Sequence, residues 1–175
     1  AAAGAKVIAV DKSGPRLKRI AENLARLNLV AETIADDVLK WTPADKADAI
    51  LLDAPCSATG TIRRHPDILW SKSLDDVTAL AKIQAEMIDR AAEFLKPGGV
   101  LVYSVCSLQP EEGERQIEAA LARRPDLSRR PITGADIPGL PGAATQAGDL
   151  RTLPSMLAAE GGLDGFFAAR LIKSG

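Results

Sequence analysis

Residues 50–60 read ILLDAPCSATG. Ala49 to Asp53 has the composition of a buried strand, an apolar run closed by an acid. Pro55 cannot donate to a ladder and holds Ala54 extended, so the chain must leave the sheet there and carry Cys56 past the strand's carboxyl end. Residues 100–114, VLVYSVCSLQPEEGE, repeat the arrangement: an apolar strand over Gly99 to Ser104, then Cys106 and Ser107. Cys56 and Cys106 are the only two cysteines of the chain. Ligands of open α/β sheets sit at the carboxyl ends of the strands. If these two strands are neighbours, both thiols face one crevice.

Outward from this pair the chain alternates. VIAVD (Val7–Asp11) is a short strand. Leu17, Ile20, Leu24 and Leu27 recur at helical spacing from Pro15 to Leu27, with Ser13 as a cap. Ala31 to Ala35 is a weaker strand. Leu74 to Leu95 carries a long helical pattern stopped by Lys96-Pro97-Gly98-Gly99. A further helix is predicted over Glu111 to Arg124, opened by Pro110 and by acids that suit a helix N-terminus. Ile132 to Gly148, rich in Gly and Pro, reads as loop. Asp149 to Leu153 and Phe166 to Ile172 read as a closing pair of strands. The fold class is therefore α/β: an open, mostly parallel sheet finished by an antiparallel edge pair. One element is missing. The glycine-rich turn expected after the first strand of a nucleotide-binding sheet does not precede VIAVD, so the chain reads either as a fold that binds no nucleotide-like cofactor or as a fragment that starts after that turn.

Bulk properties narrow the class. A chain of 175 residues suits about one domain. A formal net charge of −1 gives no global pull toward nucleic acid or an acidic membrane, so such binding needs a local patch. No apolar run approaches the roughly 18 residues of a membrane span, and no signal-peptide pattern opens the chain. Two cysteines do not make a secreted disulfide framework. The expectation is a cytoplasmic protein.

Two thiols at one sheet edge suit three chemistries. A metal site lacks a CxxC pair, and His65 is the single histidine, so no metal is expected. A redox disulfide lacks the Cys-x-x-Cys spacing. In nucleophilic catalysis one thiolate adds to an electron-poor carbon while the other group manages release. A nucleophile of this kind needs desolvation balanced by a cation or dipole, and the helix opening at Glu111 is a candidate source of the dipole, although its two acids oppose that effect.

The motifs resemble a known family. DAPCSATG followed by RRHPDILW (Arg63–Trp70) resembles the fourth motif of the RsmB/Sun-type RNA (cytosine-C5)-methyltransferases. YSVCSLQPEEGE is similar to their sixth motif, and GDLRTLP with DGFFAARL (Gly148–Leu171) to their C-terminal signature. The RRHPD wording is most like the bacterial ribosomal-RNA branch. The resemblance implies a Rossmann-like sheet that binds S-adenosylmethionine (SAM), with RNA, expected to be ribosomal, as substrate. It implies that Cys106 attacks C6 of a cytosine, making C5 electron-rich enough to accept a methyl group, and that Cys56 assists release. Asp53 matches the family acid between cofactor and target base. Asp11 is placed to accept hydrogen bonds from the cofactor ribose, as acids do at strand ends. Asp37 resembles the acid near the adenine, with Asp36 an adjacent alternative. Arg63, Arg64 and Lys72, beside DAPCS, become candidates for phosphate contacts, which position RNA without reading its sequence.

Departures are few. Val105 stands where threonine is usual, Gly113 where the PEENE motif has asparagine, with an expected loss of helix propensity, and Ser155 where histidine is common. The family's first cofactor motif and first, central strand would lie upstream of Ala1. Residues 1–175 are thus expected to be part of a catalytic domain that by itself binds SAM weakly or not at all. A different class of function, a non-catalytic RNA-binding or assembly fragment of the same fold, is the alternative.

Overall fold

The computed structural model describes residues 1–175, with every side chain among them except that of Pro141. Its contacts divide the chain into two compact units, Ala1–Ala44 and Asp45–Gly175.

The first unit is one strand–helix–strand turn of chain: β1 (Ile8–Val10), α1 (Gly14–Arg26) and β2 (Glu32–Ile34). The strands are parallel, with Ile8 opposite Glu32 and Val10 opposite Ile34. Pro15 occupies the first turn of α1, where its missing N–H costs nothing. Asn28, at φ 52°, adopts the left-handed conformation that ends the helix. Leu17, on the apolar stripe of α1, is buried.

The second unit holds β3 (Ala47–Asp53), α2 (Ile68–Ser71), α3 (Leu74–Phe94), β4 (Leu95–Val105), α4 (Glu114–Arg123), β5 (Leu127–Arg129), β6 (Leu150–Thr152) and β7 (Phe166–Lys173). The sheet order is β3-β4-β7-β5, with β6 also paired to β7. β3 and β4 are parallel neighbours, with Leu52 opposite Tyr103 and Asp53 opposite Ser104. The condition on which the two-thiol reading depends is therefore met. β7 runs antiparallel to β4, β5 and β6.

The expected antiparallel pair is present as β6 and β7, and β7 is its inner strand. It is bonded to β4 along one side and to β5 and β6 along the other. Phe167, Ala169 and Leu171 are fully buried on one face of β7, whereas on the other Ala168 is nearly buried and Phe166, Arg170 and Ile172 are half-buried. Tyr103 and Phe167 meet edge-on at 6.5 Å within the core, which Leu101, Ile88 and Ile117 complete. α3 starts with a capping box, in which Ser73 Oγ accepts from Asp76 N–H and Asp76 accepts from Ser73 N–H. It ends one residue before the predicted stop. α4 begins at Glu114 rather than Glu111, because residues 109–113 form tight turns in which Gly113 N–H bonds back to Gln109 and Pro110. Gly113 therefore lies outside the helix, where helix propensity does not act on it. A Cβ there would come within 2.5 Å of the Arg151 guanidinium and 3.2 Å of the Phe167 ring.

Candidate active site

The loops that follow β3 and β4 carry the two cysteines. The ladder between the strands continues to Ala54 N–H, which bonds Ser104 O at 3.1 Å, and stops at Pro55. From there the loops are stitched separately. Gly60 N–H reaches Cys106 O at 3.0 Å, and Gly165 N–H, just before β7, reaches Gly60 O at 2.8 Å. Glycine is required at Gly60, since a Cβ would lie 1.8 Å from Gly165 O. Ala58 takes the left-handed conformation at φ 58°, a cost of about 1–2 kcal/mol for a residue with a Cβ. Such strain persists only where the surroundings over-determine it.

The result is one thiol pair. Cys56 Sγ and Cys106 Sγ lie 3.4 Å apart, both half-buried and both free. Two thiols this close cannot ionise independently. The S–H of Cys56 draws Cys106 down to about 7, against burial and the Asp53 charge, which both push it up. Cys56 is driven far upward, first by its bond to Cys106 and then by burial. The arrangement is asymmetric: Cys106 is the thiol that ionises more readily, and Cys56 is the one that holds its proton. The first cause that lowers Cys106 is its partner thiol; α4, the candidate source of a dipole, opens at Glu114 rather than Glu111.

Beneath the sulfurs lies a polar cluster that the sequence reading missed. Glu112, with no solvent exposure, accepts at one carboxylate oxygen from Ser57 N–H (2.9 Å) and Gln84 Nε2–H (3.0 Å). At the other it accepts from the hydroxyls of Ser57 and Ser107, each at 2.5 Å. Gln84 also donates to Pro55 O at 2.8 Å. Two signals were legible: the serine that follows each cysteine, and a glutamine at position 84 within the buried stripe Val77, Ile88, Ala91 of α3. Arg151, from β6, holds the second loop from outside. It donates to Ser107 O at 2.6 Å, forms a two-point ion pair with Glu114, and lies 4.9 Å over the Phe167 ring. Burial alone would raise the Glu114 carboxyl, but Arg151 outweighs it and holds that group below its usual range.

The other predicted residues fall into two groups. Asp53 ends β3, exposed, and its charge acts on Cys106. Arg63 and Arg64 are exposed and both pair with Asp164, Arg64 through two of its nitrogens; Lys72 is exposed beyond α2. In the first unit, Asp11 follows β1, accepts from Ser13 N–H at 2.7 Å and pairs with Arg16 at 3.3 Å. Asp37 is half-buried and caps Leu39 N–H at 3.0 Å, whereas Asp36 is exposed and bonds Asp37 N–H. Among the described residues, no cluster of three or more His, Cys, Asp or Glu is arranged to hold a metal ion, and no helix is long and apolar enough to cross a membrane.

Comparison with known proteins places this site in context. Residues 1–172 match the family model described as 16S rRNA methyltransferase RsmB/F. The chain is 44% identical over 171 residues to ribosomal RNA small subunit methyltransferase B of Vibrio cholerae, covering 96% of this chain and 36% of that protein. It is 47% identical to the protein of the same name from Citrobacter koseri, covering 99% and 38%. It thus spans a little over a third of the length of these relatives. Among solved structures it is similar to NSun6 from Pyrococcus horikoshii, with a TM-score of 0.78 and 33% identity, over 97% of this chain and 42% of that one.

Proposed function

The chain belongs to the 16S rRNA methyltransferase RsmB/F family, and on that premise we propose that it is part of the catalytic domain of an enzyme that methylates C5 of a cytosine in ribosomal RNA through a covalent Cys106 adduct. The observation that carries this reading is the thiol pair: two free sulfurs 3.4 Å apart, just past the ends of two neighbouring parallel strands.

Each thiol then has a task. The C5 carbon of cytosine is a weak nucleophile until something adds at C6. Cys106 thiolate forms the S–C6 bond, and the displaced electron pair enriches C5. S-adenosylmethionine, when bound, supplies the methyl group on a sulfonium centre. After C5 is substituted, loss of its proton to water lets the S–C6 bond break, with the electron pair returning to sulfur. The departing sulfur regains the S–H of Cys56 as a hydrogen-bond donor, so the contact that lowers Cys106 in the resting enzyme also stabilises it as a leaving group. Asp53 lies near enough for its charge to act on Cys106; a carboxyl at that position is suited to hold N3 of the cytosine protonated or hydrogen-bonded, easing addition at C6.

The donor set suits the cofactor. Asp11 offers carboxylate oxygens at a strand end, the position from which acids bond ribose hydroxyls. Asp37 uses one oxygen for Leu39 N–H and can present the other to an adenine amine; its partial burial favours it over Asp36. Arg63, Arg64 and Lys72 are the phosphate-contact candidates. The two arginines would have to exchange Asp164 for RNA phosphate, so their contribution is less than that of unpaired cations.

Incubating the full-length protein with SAM and small-subunit ribosomal RNA, followed by nucleoside mass spectrometry, tests this directly. Formation of 5-methylcytidine by the wild type and none by Cys106→Ala is expected. Bound RNA without product would favour a non-catalytic RNA-binding role; methylation at an exocyclic amine would contradict the adduct.

A further inference from the structure

Neither thiol's chemistry explains why a serine follows each cysteine, or why a carboxyl group lies sealed beneath both. We propose that Glu112 is a positioning residue: its single carboxylate ties Ser57 to Ser107 and so sets the contact between Cys56 and Cys106.

Beyond Ala54 the strand ladder ends, and the thiols sit fifty positions apart in sequence. The loops meet again where Gly60 N–H bonds Cys106 O, where Thr59 Oγ1 meets Ser107 Oγ and Leu108 N–H, and beneath the sulfurs, where Ser57 and Ser107 share Glu112 and lie 3.2 Å apart. Something must hold the loops in register, because a drift of about 1 Å takes a 3.4 Å sulfur contact out of hydrogen-bond range. Glu112 is built for that task. It belongs to the Cys106 loop, five positions after Ser107, and its backbone is pinned by Tyr103 O–H, which donates to Glu112 O at 2.7 Å. From there it crosses to the other loop and takes both the N–H and the O–H of Ser57. Gln84 completes the clamp by bonding Glu112 and Pro55 O, on the far side of Cys56. A buried carboxylate is costly unless donors surround it. Here the four donors are Ser57 N–H, Ser57 O–H, Ser107 O–H and the Gln84 amide, and three of the four belong to residues next to a cysteine. Hydrocarbon would fill the same space at lower risk, but it would carry no register.

Glu112→Gln keeps the shape and removes the oxygen that both serine hydroxyls share, leaving them their mutual contact at 3.2 Å and their contacts with Thr59. Two readouts in the full-length protein separate geometry from chemistry. The first is closure of the Cys56–Cys106 disulfide by diamide, which takes both thiol hydrogens as the sulfurs join; peptide mapping follows the product. Loss of register is expected to slow closure at least about 10-fold. The second rests on the reaction proposed above: kcat is expected to fall about 10–100-fold, with KM for RNA within about twofold. Ser57→Ala/Ser107→Ala should reproduce both losses, and adding Glu112→Gln should then cost less than about twofold more, since residues acting through one another are not additive. The double serine variant removes only two hydroxyls and decides the matter alone if Glu112→Gln fails to fold. Wild-type closure and turnover in either variant, a loss confined to KM, or full additivity would each overturn the assignment. If the wild type itself methylates nothing, the proposed reaction has failed and the disulfide rate still judges Glu112.

Discussion

Replacing Cys56 by alanine should change how Cys106 titrates, and the structure gives the size of the change. Cys106 lies at about 7, and the largest cause is the Cys56 S–H; burial and the Asp53 charge oppose it. Removing the donor leaves burial, Asp53 and Glu112 pushing the thiol up against one weaker backbone hydrogen bond, so it should return to at least its ordinary value of about 9. At pH 7 the thiolate fraction then falls from about one half to about one hundredth. A more basic thiolate is also intrinsically more reactive, with a Brønsted slope of about 0.4–0.5, which returns about 6–10-fold over that range. The net expectation is alkylation about 5–8-fold slower at pH 7, and about 6–10-fold faster above pH 10, where both proteins are ionised. The two profiles should cross. Iodoacetamide modification of the Cys106 peptide, timed by mass spectrometry from pH 5.5 upward in steps of about half a unit, reads both limbs. A midpoint in Cys56→Ala within about half a unit of wild type would refute the claim that one thiol activates the other.

Other perturbations test the scaffold. Gln84→Leu leaves Pro55 O without its donor and takes one of two donors from a Glu112 oxygen, so urea unfolding should show a loss of about 1–3 kcal/mol. Gly60→Ala places a methyl 1.8 Å from a backbone oxygen; the loss should reach the upper part of the about 1–3 kcal/mol typical of overpacking, and the rate of Cys56–Cys106 closure should fall with it. For Glu114, burial raises the carboxyl and Arg151 lowers it further, so its folded value sits below the ordinary 4.5. A depressed carboxylate contributes stability that is complete above its unfolded value and is lost as pH falls through the folded one. Arg151→Ala should therefore lose stability at pH 7 and show a flatter acid limb below about pH 5 in thermal melts.

The strands β3 and β4, and a cysteine just past the end of each, were legible because each strand is an apolar run closed by turn chemistry; that the two strands are neighbours was a condition that only the fold met. The closing antiparallel pair was legible in its two runs, Asp149 to Leu153 and Phe166 to Ile172, whereas the further partner of β7 was not. β5 escaped notice because LSR is three residues long and owes its extended form to its register on β7, a long-range effect with no local signature. The start of α4 shifted because turns around Pro110 consume the acids that read as a first helical turn. In the site, both thiols could be read from their placement. Glu112 could not, because it sits among other acids in QPEEGE and only the folded chain shows that it alone points inward while Glu111 pairs with Arg115 at the surface.

The central claim is that Cys106 becomes bonded to a cytosine. Full-length protein, SAM and small-subunit ribosomal RNA carrying a cytosine analogue that cannot complete elimination should yield a denaturation-resistant protein–RNA adduct, with the mass attached to the Cys106 peptide. Cys106→Ala should give none, while Cys56→Ala should still form it. An adduct on Cys56, or no adduct from a folded protein that nonetheless produces 5-methylcytidine, would contradict the account.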